Sequence, residues 1–320
     1  MNNISYAVVI PSNRVFDSIK PLLVSLSEQT LPPSQIVIVR DRHADKSELD
    51  TYIISAKLLF AQLEKLRIDI IHPWRDKKFT IWQGASYVRN YGRKQVTTPY
   101  MMFIDDDNVC PDDMAENLFG FVTQQAHPEY TVVSPLQYDD TQSTIRPALA
   151  SGFNFALCRP VRLWNHVIES SDRYFSLELA SSNCLAGPTP LFEQYPFDEQ
   201  IPFVYEDLIM TANMSKWWVQ LFADSWAYVI HHHAHRNKLS ELYANTPDRA
   251  YYKAKHRIIL IHVLWNWRQQ LLFYLSWFVW QLGWIVLHIL YYAPMSHWFW
   301  LFSALYKGTK DGIVYITRRS

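Results

Sequence analysis

The chain has 320 residues, enough for one large domain or two modest ones with a substantial core. Lys plus Arg and Asp plus Glu balance at 30 each, which argues against the basic footprint of a nucleic-acid binder. Cys110, Cys158 and Cys184 lie far apart with no CxxC pair, which argues against a disulfide framework or a structural zinc site and suits a reducing compartment. The opening MNNISYAVVIPS has no basic n-region and only a short apolar run, so it does not read as a signal peptide. Glycine is scarce at 8 and tryptophan abundant at 13, and seven tryptophans fall after residue 260, so the tail is a different kind of polymer from the rest.

AVVI (7–10) is a short apolar run of the kind a buried parallel strand shows. From Ser18 to Gln29, the residues Ile19, Leu22, Leu23 and Leu26 share one helical face, with Pro21 tolerable in a first turn. LPPS breaks the chain and IVIV (36–39) is a second buried strand, which completes a βαβ unit. A helical stretch around 47–66, a strand at IDII (68–71), a helix from Gly84 to Gln95 and a buried strand YMMFI (100–104) follow. Alternating strands and helices imply an α/β domain with a mainly parallel sheet. Ligands of such sheets bind outside the carboxyl ends of the strands, and PSNR (11–14), Asp41 and the run Asp105-Asp106-Asp107 all stand at such ends.

Three adjacent carboxylates repel one another, so FIDDDN (103–108) asks for a partner. On an extended chain Asp105 and Asp107 share a face and Asp106 turns away. Two hard oxygen ligands on one face suit Mg2+ or Mn2+, which keeps further positions for water and substrate phosphate. The same acids also read as an Asp-rich turn entering the next helix. They precede Cys110-Pro111, however, and Asp112 and Asp113 already stand at that helix start. No GxGxxG and no P-loop follows a strand, so phosphate must be held through a metal rather than a glycine cradle.

AVVIPSNR, SLSEQTLPPSQIVIVRD, GASYVRNYGRKQVTTPYMMFIDDDN and YPFDEQIPFVYEDLIM occur in that order, and together they resemble a family 2 glycosyltransferase with a GT-A fold. The resemblance covers most of the first 235 residues. It implies a Rossmann-like nucleotide-diphospho-sugar transferase sheet with a C-terminal aromatic-rich helical tail. It implies donor contacts from Pro11, Asn13 and Arg14, from Asp41 beside the nucleotide base, from Arg89 and Asn90, and from Asp105 and Asp106. Asp105 and Asp107 fall on the family's DXD acids, with Asp107 the leading metal ligand. Where the family normally has Asp-Asp-Gly-Ser, this chain has Arg40-Asp41-Arg42-His43, so only Asp41 matches.

Asp207, the second acid of Glu206-Asp207, matches the family's usual catalytic base. Acids opening a helix also complement its dipole, so the pair reads equally as a helix start. In VIHHHAHRN, the family's histidine near diphosphate and metal falls among His231, His232, His233 and His235, and His231 and His233 share a face if the strand continues. Arg89 reads alternatively as a solvated helix residue. Trp217-Trp218 reads as core packing, or as an acceptor-stacking pair. The cysteines read as core.

The chemistry implied is inverting, Mn2+- or Mg2+-dependent transfer of a sugar from a UDP- or dTDP-linked donor to a glycan or lipid-linked acceptor, in bacterial surface polysaccharide synthesis. The tail YYKAKHRIILIHVLWNW and the late KGTKDGI resemble rhamnosyltransferase-like bacterial members. Residues 1–255 are expected to form the catalytic domain, with a donor half to about 110 and an acceptor half from 111, and 256–320 a membrane-associating tail. Residues 271–293 carry no formal charge over 23 residues, enough to span a bilayer as a helix. Basic residues flank both ends (Lys253, Lys255, Arg257 and Arg268 before; Lys307, Lys310, Arg318 and Arg319 after), which disfavours a single crossing. A peripheral or re-entrant seat on the cytoplasmic face of the inner membrane fits better, and a soluble helical or dimerising subdomain is the alternative. The rival reading of the whole chain is a non-catalytic membrane-bound scaffold or sugar-binding protein, to which Arg40 and Arg42 in the base-binding turn point. A nucleotidyltransferase would carry a glycine-rich basic loop after the first strand, and PSNR is not one.

Overall fold

The computed structural model describes residues 4–40, 46–61, 67–71, 84–139, 144–145, 150–154, 159–162, 172–232, 247–264, 270–271, 273–277, 279 and 295–318. Strand β1 (Tyr6–Ser12) and strand β2 (Gln35–Arg40) are buried almost throughout, as continuous apolar runs covered on both faces should be. Helix α1 (Phe16–Ser27) joins them, and Pro21 lies inside that helix rather than in its first turn. Helix α2 (Lys46–Phe60), strand β3 (Arg67–Ile71), helix α3 (Ala85–Arg93) and strand β4 (Tyr100–Ile104) follow, so the expected order of elements holds.

Strands β3, β2, β1 and β4 lie side by side in that order, all parallel. The second half of the chain extends the same sheet. After the short strand β5 (Asn108–Val109) and helix α4 (Met114–Gln124) come strands β6 (Thr131–Asp139) and β7 (Thr144–Ile145). Strands β8 (Ala150–Asn154) and β9 (Arg159–Arg162) form a separate two-stranded sheet. Strands β10 (Tyr174–Leu177) and β11 (Cys184–Pro188), helices α5 (Thr189–Gln194) and α6 (Glu206–Lys216) and strand β12 (Gln220–His231) complete the sheet region. Strand β11 runs antiparallel between β4 and β6, and β12 runs parallel to β6.

The pleat sorts the side chains into two cores. Val8, Ile10, Ile36 and Ile38 meet Leu22, Leu26, Leu118 and Phe119 of α1 and α4 on one face. Ala7, Val9, Val37 and Val39 meet Val88, Phe192, Met210 and Met214 of α3, α5 and α6 on the other. The Ser12–Arg40 pair closes the β1–β2 register at the carboxyl edge, one strand from the end of β4. The converging strand ends of the sequence reading are therefore real neighbours, although Asp41 lies outside the described residues.

Helices α7 (Pro247–Leu264) and α8 (Met295–Thr317) pack tightly on one another. The boundary expected at residue 255 falls inside α7. Ala254, Ile258 and Ile261 of that helix share a third core with Leu208, Ile209 and Ala212 of α6, with Phe273, Trp277 and Ile316. Most of the apolar run 271–293 lies outside the described residues. No described helix is long and apolar enough to cross a membrane.

Helix α3 can lie against β1 and β2 because Gly92 has no side chain. A Cβ there would stand 2.5 Å from Val9 Cγ1 and 2.8 Å from Val39 Cγ2. Gly92→Ala is expected to lower unfolding free energy by about 1–3 kcal/mol, the usual scale of overpacking, as measured by urea denaturation. An unchanged midpoint and slope would show that α3 sits less closely than this.

Candidate active site

The three aspartates follow β4 directly, and the strand alternation ends with it, since residues 106–107 form a turn. That turn is fixed from both sides. The Asp105 amide donates to the Asn183 carbonyl at 2.9 Å. The Asn108 side-chain amide donates to Asn183 Oδ1 at 2.9 Å. The His232 amide donates to the Asp107 carbonyl at 2.8 Å.

Each carboxylate has its own partners, none of them at the start of α4. Asp106 accepts from Ser12 Oγ at 2.7 Å and lies 3.2 Å from Arg14 Nε. Asp107 takes Arg14 Nη2 at 2.7 Å on one oxygen and His231 Nε2 at 3.2 Å on the other. Asp105 takes Arg89 Nη2 at 2.8 Å. Arg14 thus bridges Asp106 and Asp107, while Asp105 faces a different cation.

The electrostatics differ accordingly. Burial pushes the Asp106 carboxyl up to about 6 against the pull of Ser12 and Arg14. Burial also raises Asp105, and Arg89 only partly offsets it. For Asp107 burial is outweighed by the His231 hydrogen bond and charge and by Arg14, so its carboxyl is held below the ordinary value. Among the described residues no group of three or more His, Cys, Asp or Glu forms a ready metal cluster. The donor types nevertheless suit a hard divalent cation: the carboxylates of Asp105 and Asp107 stand two residues apart, and His231 Nε2 lies 3.2 Å from Asp107. His233 lies outside the described residues.

Arg89 joins this cluster to the second candidate element. Its other terminal nitrogen lies 3.0 Å from Glu206 Oε1 at the start of α6. The residue is buried, so the alternative of a solvated helix position is ruled out. Burial disfavours the guanidinium, but Asp105 and Glu206 more than restore it and raise its pKa. Burial and the Asp207 charge push Glu206 up to about 7 despite Arg89. Asp207 accepts from Ser181 Oγ at 2.9 Å, from the Ser182 amide at 3.2 Å and from its neighbour's amide, Leu208 N, at 2.8 Å.

The segment that delivers Glu206 and Asp207 is strained. Val204 and Tyr205 have φ of 62° and 69°, a left-handed region that costs on the order of 1–3 kcal/mol per non-glycine residue. Asn90, expected to touch the donor, braces the chain ahead of this segment: its amide donates to the Phe197 carbonyl at 2.8 Å and Glu199 Oε1 at 3.0 Å and accepts from the Phe197 amide at 3.0 Å.

The remaining candidates divide clearly. Pro11 is half-buried in β1 and Asn13 is exposed at the strand end. Arg40 is fully buried, lies 4.1 Å over the Tyr52 ring and donates to the Arg14 carbonyl. Trp217 and Trp218 are 62% and 88% exposed, which overturns the core-packing reading. They follow the end of α6 away from its acids. Cys110 and Cys184 are core, and Cys158 lies outside the described residues. Sequence reasoning missed Ser12 and the Ser181–Asn183 turn. Small polar residues beside apolar strands carry no pattern of their own, and only the fold shows that they hold the acids.

The pattern of glycosyl transferase family 2 matches residues 7–175, just over half of the chain. The amylovoran biosynthesis glycosyltransferase AmsB of Erwinia amylovora is 31% identical over 119 residues, 37% of this chain and 36% of AmsB. The matched region thus spans about a third of that relative. Among solved structures, GalNAc-T7 with UDP, GalNAc and Mn2+ aligns with a TM-score of 0.55 at 11% identity, over 72% of this chain and 44% of that one. S. aureus TarS 1-349 in complex with UDP-GlcNAc aligns with a TM-score of 0.53 at 17% identity, over 81% and 66%. These structures share the fold, the GT-A arrangement that the resemblance implied. On the extent of the family match, the chain belongs to glycosyl transferase family 2.

Proposed function

We propose that this chain is an inverting, metal-dependent glycosyltransferase of the hexosyl-transferring type that uses a UDP- or dTDP-linked sugar. The acceptor is a glycan or lipid-linked sugar, in bacterial surface polysaccharide synthesis. The observation that carries the reading is the convergence at one sheet edge. Asp105, Asp106 and Asp107 lie beside the strand end at Ser12, and buried Arg89 ties Asp105 to Glu206, next to Asp207. Asp207 is near enough for its charge to act on Asp105. The UDP and Mn2+ in the GalNAc-T7 structure and the UDP-GlcNAc in the TarS structure support the donor class, and the amylovoran biosynthesis to which AmsB is assigned supports a biosynthetic setting.

The acceptor oxygen attacks the anomeric carbon as the bond from that carbon to the diphosphate breaks, and the configuration inverts. The hydroxyl proton passes to Asp207. Glu206 is committed to Arg89 in a buried pair, whereas Asp207 is held by the neutral donors Ser181 and Ser182. Ser181 and the Ser182 amide aim the Asp207 carboxylate. A Mn2+ or Mg2+ held by Asp105 and Asp107, with His231 as third candidate, would neutralise the leaving diphosphate as a Lewis acid. Asp41 and His233 remain candidates for base contact and metal binding.

The tail seats the enzyme on the cytoplasmic face of the inner membrane, peripherally or as a re-entrant element, where a lipid-linked acceptor would be met. Leu271, Leu275 and Val279 stand at helical spacing and are 52%, 61% and 67% exposed, which supports an apolar outward stripe. The full chain is expected to sediment with inner membranes and to need detergent or high pH for release. Recovery in the supernatant without either would turn the stripe into a packing or dimerising face.

Asp107→Ala is expected to abolish Mn2+-dependent nucleotide binding, with less damage from Asp106→Ala. Calorimetric titration of UDP and dTDP with and without Mn2+ decides it, and metal-independent binding that is unchanged in Asp107→Ala defeats the metal role. Asp207→Asn is expected to keep donor affinity and lose turnover by about 10²–10⁴-fold, the scale of general-base removal. Near-normal turnover would leave Asp207 as a helix-terminal acid.

Glu206 gives a pH signature. A carboxyl raised from 4.5 to about 7 adds stability that is fully present below pH 4.5 and is lost as pH rises through 7. Without added divalent cation, the melting temperature of wild type is therefore expected to fall relative to that of Glu206→Gln between pH 5 and pH 8. Parallel profiles would mean that Arg89 keeps Glu206 ionised throughout.

A further inference from the structure

Helices α7 and α8 do more than cover the end of the domain. Four of their side chains converge on the segment 198–205 that carries Glu206 and Asp207. His256 is fully buried, and its Nδ1 lies 2.8 Å from the Val204 carbonyl, which can only accept, so Nδ1 carries the proton. Its Nε2 is buried with no hydrogen-bond partner among the described residues. An unpartnered buried nitrogen carries a free-energy cost, so the His256 ring is held there by what its other nitrogen and its packing contribute. Arg257 donates to Tyr205 Oη at 3.0 Å, and the Tyr252 ring packs against Phe203 at a tilt of 55° with centroids 4.5 Å apart. Tyr315 of α8 donates to Asp198.

The same segment is gripped from the opposite side by the start of α3. Gly84, at φ 91°, lies so close to Pro202 that a Cβ there would stand 2.8 Å from the Pro202 Cα. Ser86 donates its hydroxyl to the Ile201 carbonyl. Val204 and Tyr205 hold left-handed backbone between these two grips, at the residues His256 and Arg257 touch. A β-branched residue does not keep such a conformation without external restraint.

We propose that His256 and Arg257 are positioning residues for the transfer step, which hold Val204 and Tyr205 and thereby aim Glu206 and Asp207 across the donor site. The inference rests on the reading of Asp207 as proton acceptor. It assigns the C-terminal helices a part in the chemistry as well as in location. Residues 256–264 cannot then be removed without loosening the acids.

Hydrogen–deuterium exchange of the purified full chain tests the grip without any substrate. His256→Ala is expected to speed exchange over residues 199–208. His256→Asn, whose amide offers an N–H in place of Nδ1–H, is expected to restore protection. Nucleoside-diphosphate release from a panel of UDP- and dTDP-linked sugars tests the consequence. His256→Ala should lose about 10²-fold in kcat, the scale of a misplacement of about 1 Å, while UDP affinity stays unchanged and His256→Asn recovers most of the rate. Wild-type exchange in His256→Ala overturns the grip, and faster exchange with unchanged kcat overturns the positioning role. If alanine at 256 unfolds the chain, Tyr205→Phe removes only the oxygen that Arg257 holds. It should lower kcat with UDP binding retained, and an unchanged kcat overturns the part given to Arg257. A wild-type chain that releases no nucleoside diphosphate refutes the functional reading instead, and the exchange comparison still decides the grip.

Discussion

The Arg89 guanidinium, buried between Asp105 and Glu206, is the constraint on which the rest of the site depends. A buried cation without partners would be strongly unfavourable, and so would the enclosed Glu206 carboxylate without its cation. The three groups are stable only together, so the end of β4 and the start of α6 are held at a fixed separation. Asp107 and Asp207, the residues with proposed chemical roles, each sit close in sequence to one end of that link. Residues further along α3 serve the same arrangement: Asn90 ties down the 197–199 segment, and Gly92 lets the helix lie directly on β1 and β2.

The parallel strands were legible because burial on both faces leaves an unbroken apolar run, as in AVVI and IVIV. The aspartates were legible because like charges do not gather without a partner. The expectation that Asp105 and Asp107 share a face assumed that the strand continued, whereas β4 stops at Ile104 and residues 106–107 turn. The structure divides the acids by cation instead, Arg14 for Asp106 and Asp107 and Arg89 for Asp105. No local pattern reveals which arginine reaches which acid, because Arg14 and Asp107 are 93 residues apart and Arg89 and Glu206 are 117.

Arg40 shows the same limit from the other side. A cationic residue at the end of a buried strand suggested a degraded base-binding turn. In the fold it is enclosed, stacked on Tyr52 and bonded to the Arg14 carbonyl, so it supports the backbone of the arginine that meets Asp106 and Asp107. Arg40 is thus a brace beneath the site, and its stacking partner lies in α2, the next element along the chain.

The C-terminal helices were read from composition as a membrane element appended to a finished domain. Their packing gives them two faces. Ala254, Ile258 and Ile261 of α7 are buried against Leu208, Ile209 and Ala212 of α6, and His256 and Arg257 extend that contact to the residues immediately before Glu206. Leu271, Leu275 and Val279 point outward. Tryptophan and leucine enrichment is the same whether an apolar residue meets a bilayer or a core. Composition alone could not separate the two faces. The part that braces the acids, α7, is therefore distinct from the residues that carry the exposed apolar side chains, Leu271, Leu275 and Val279.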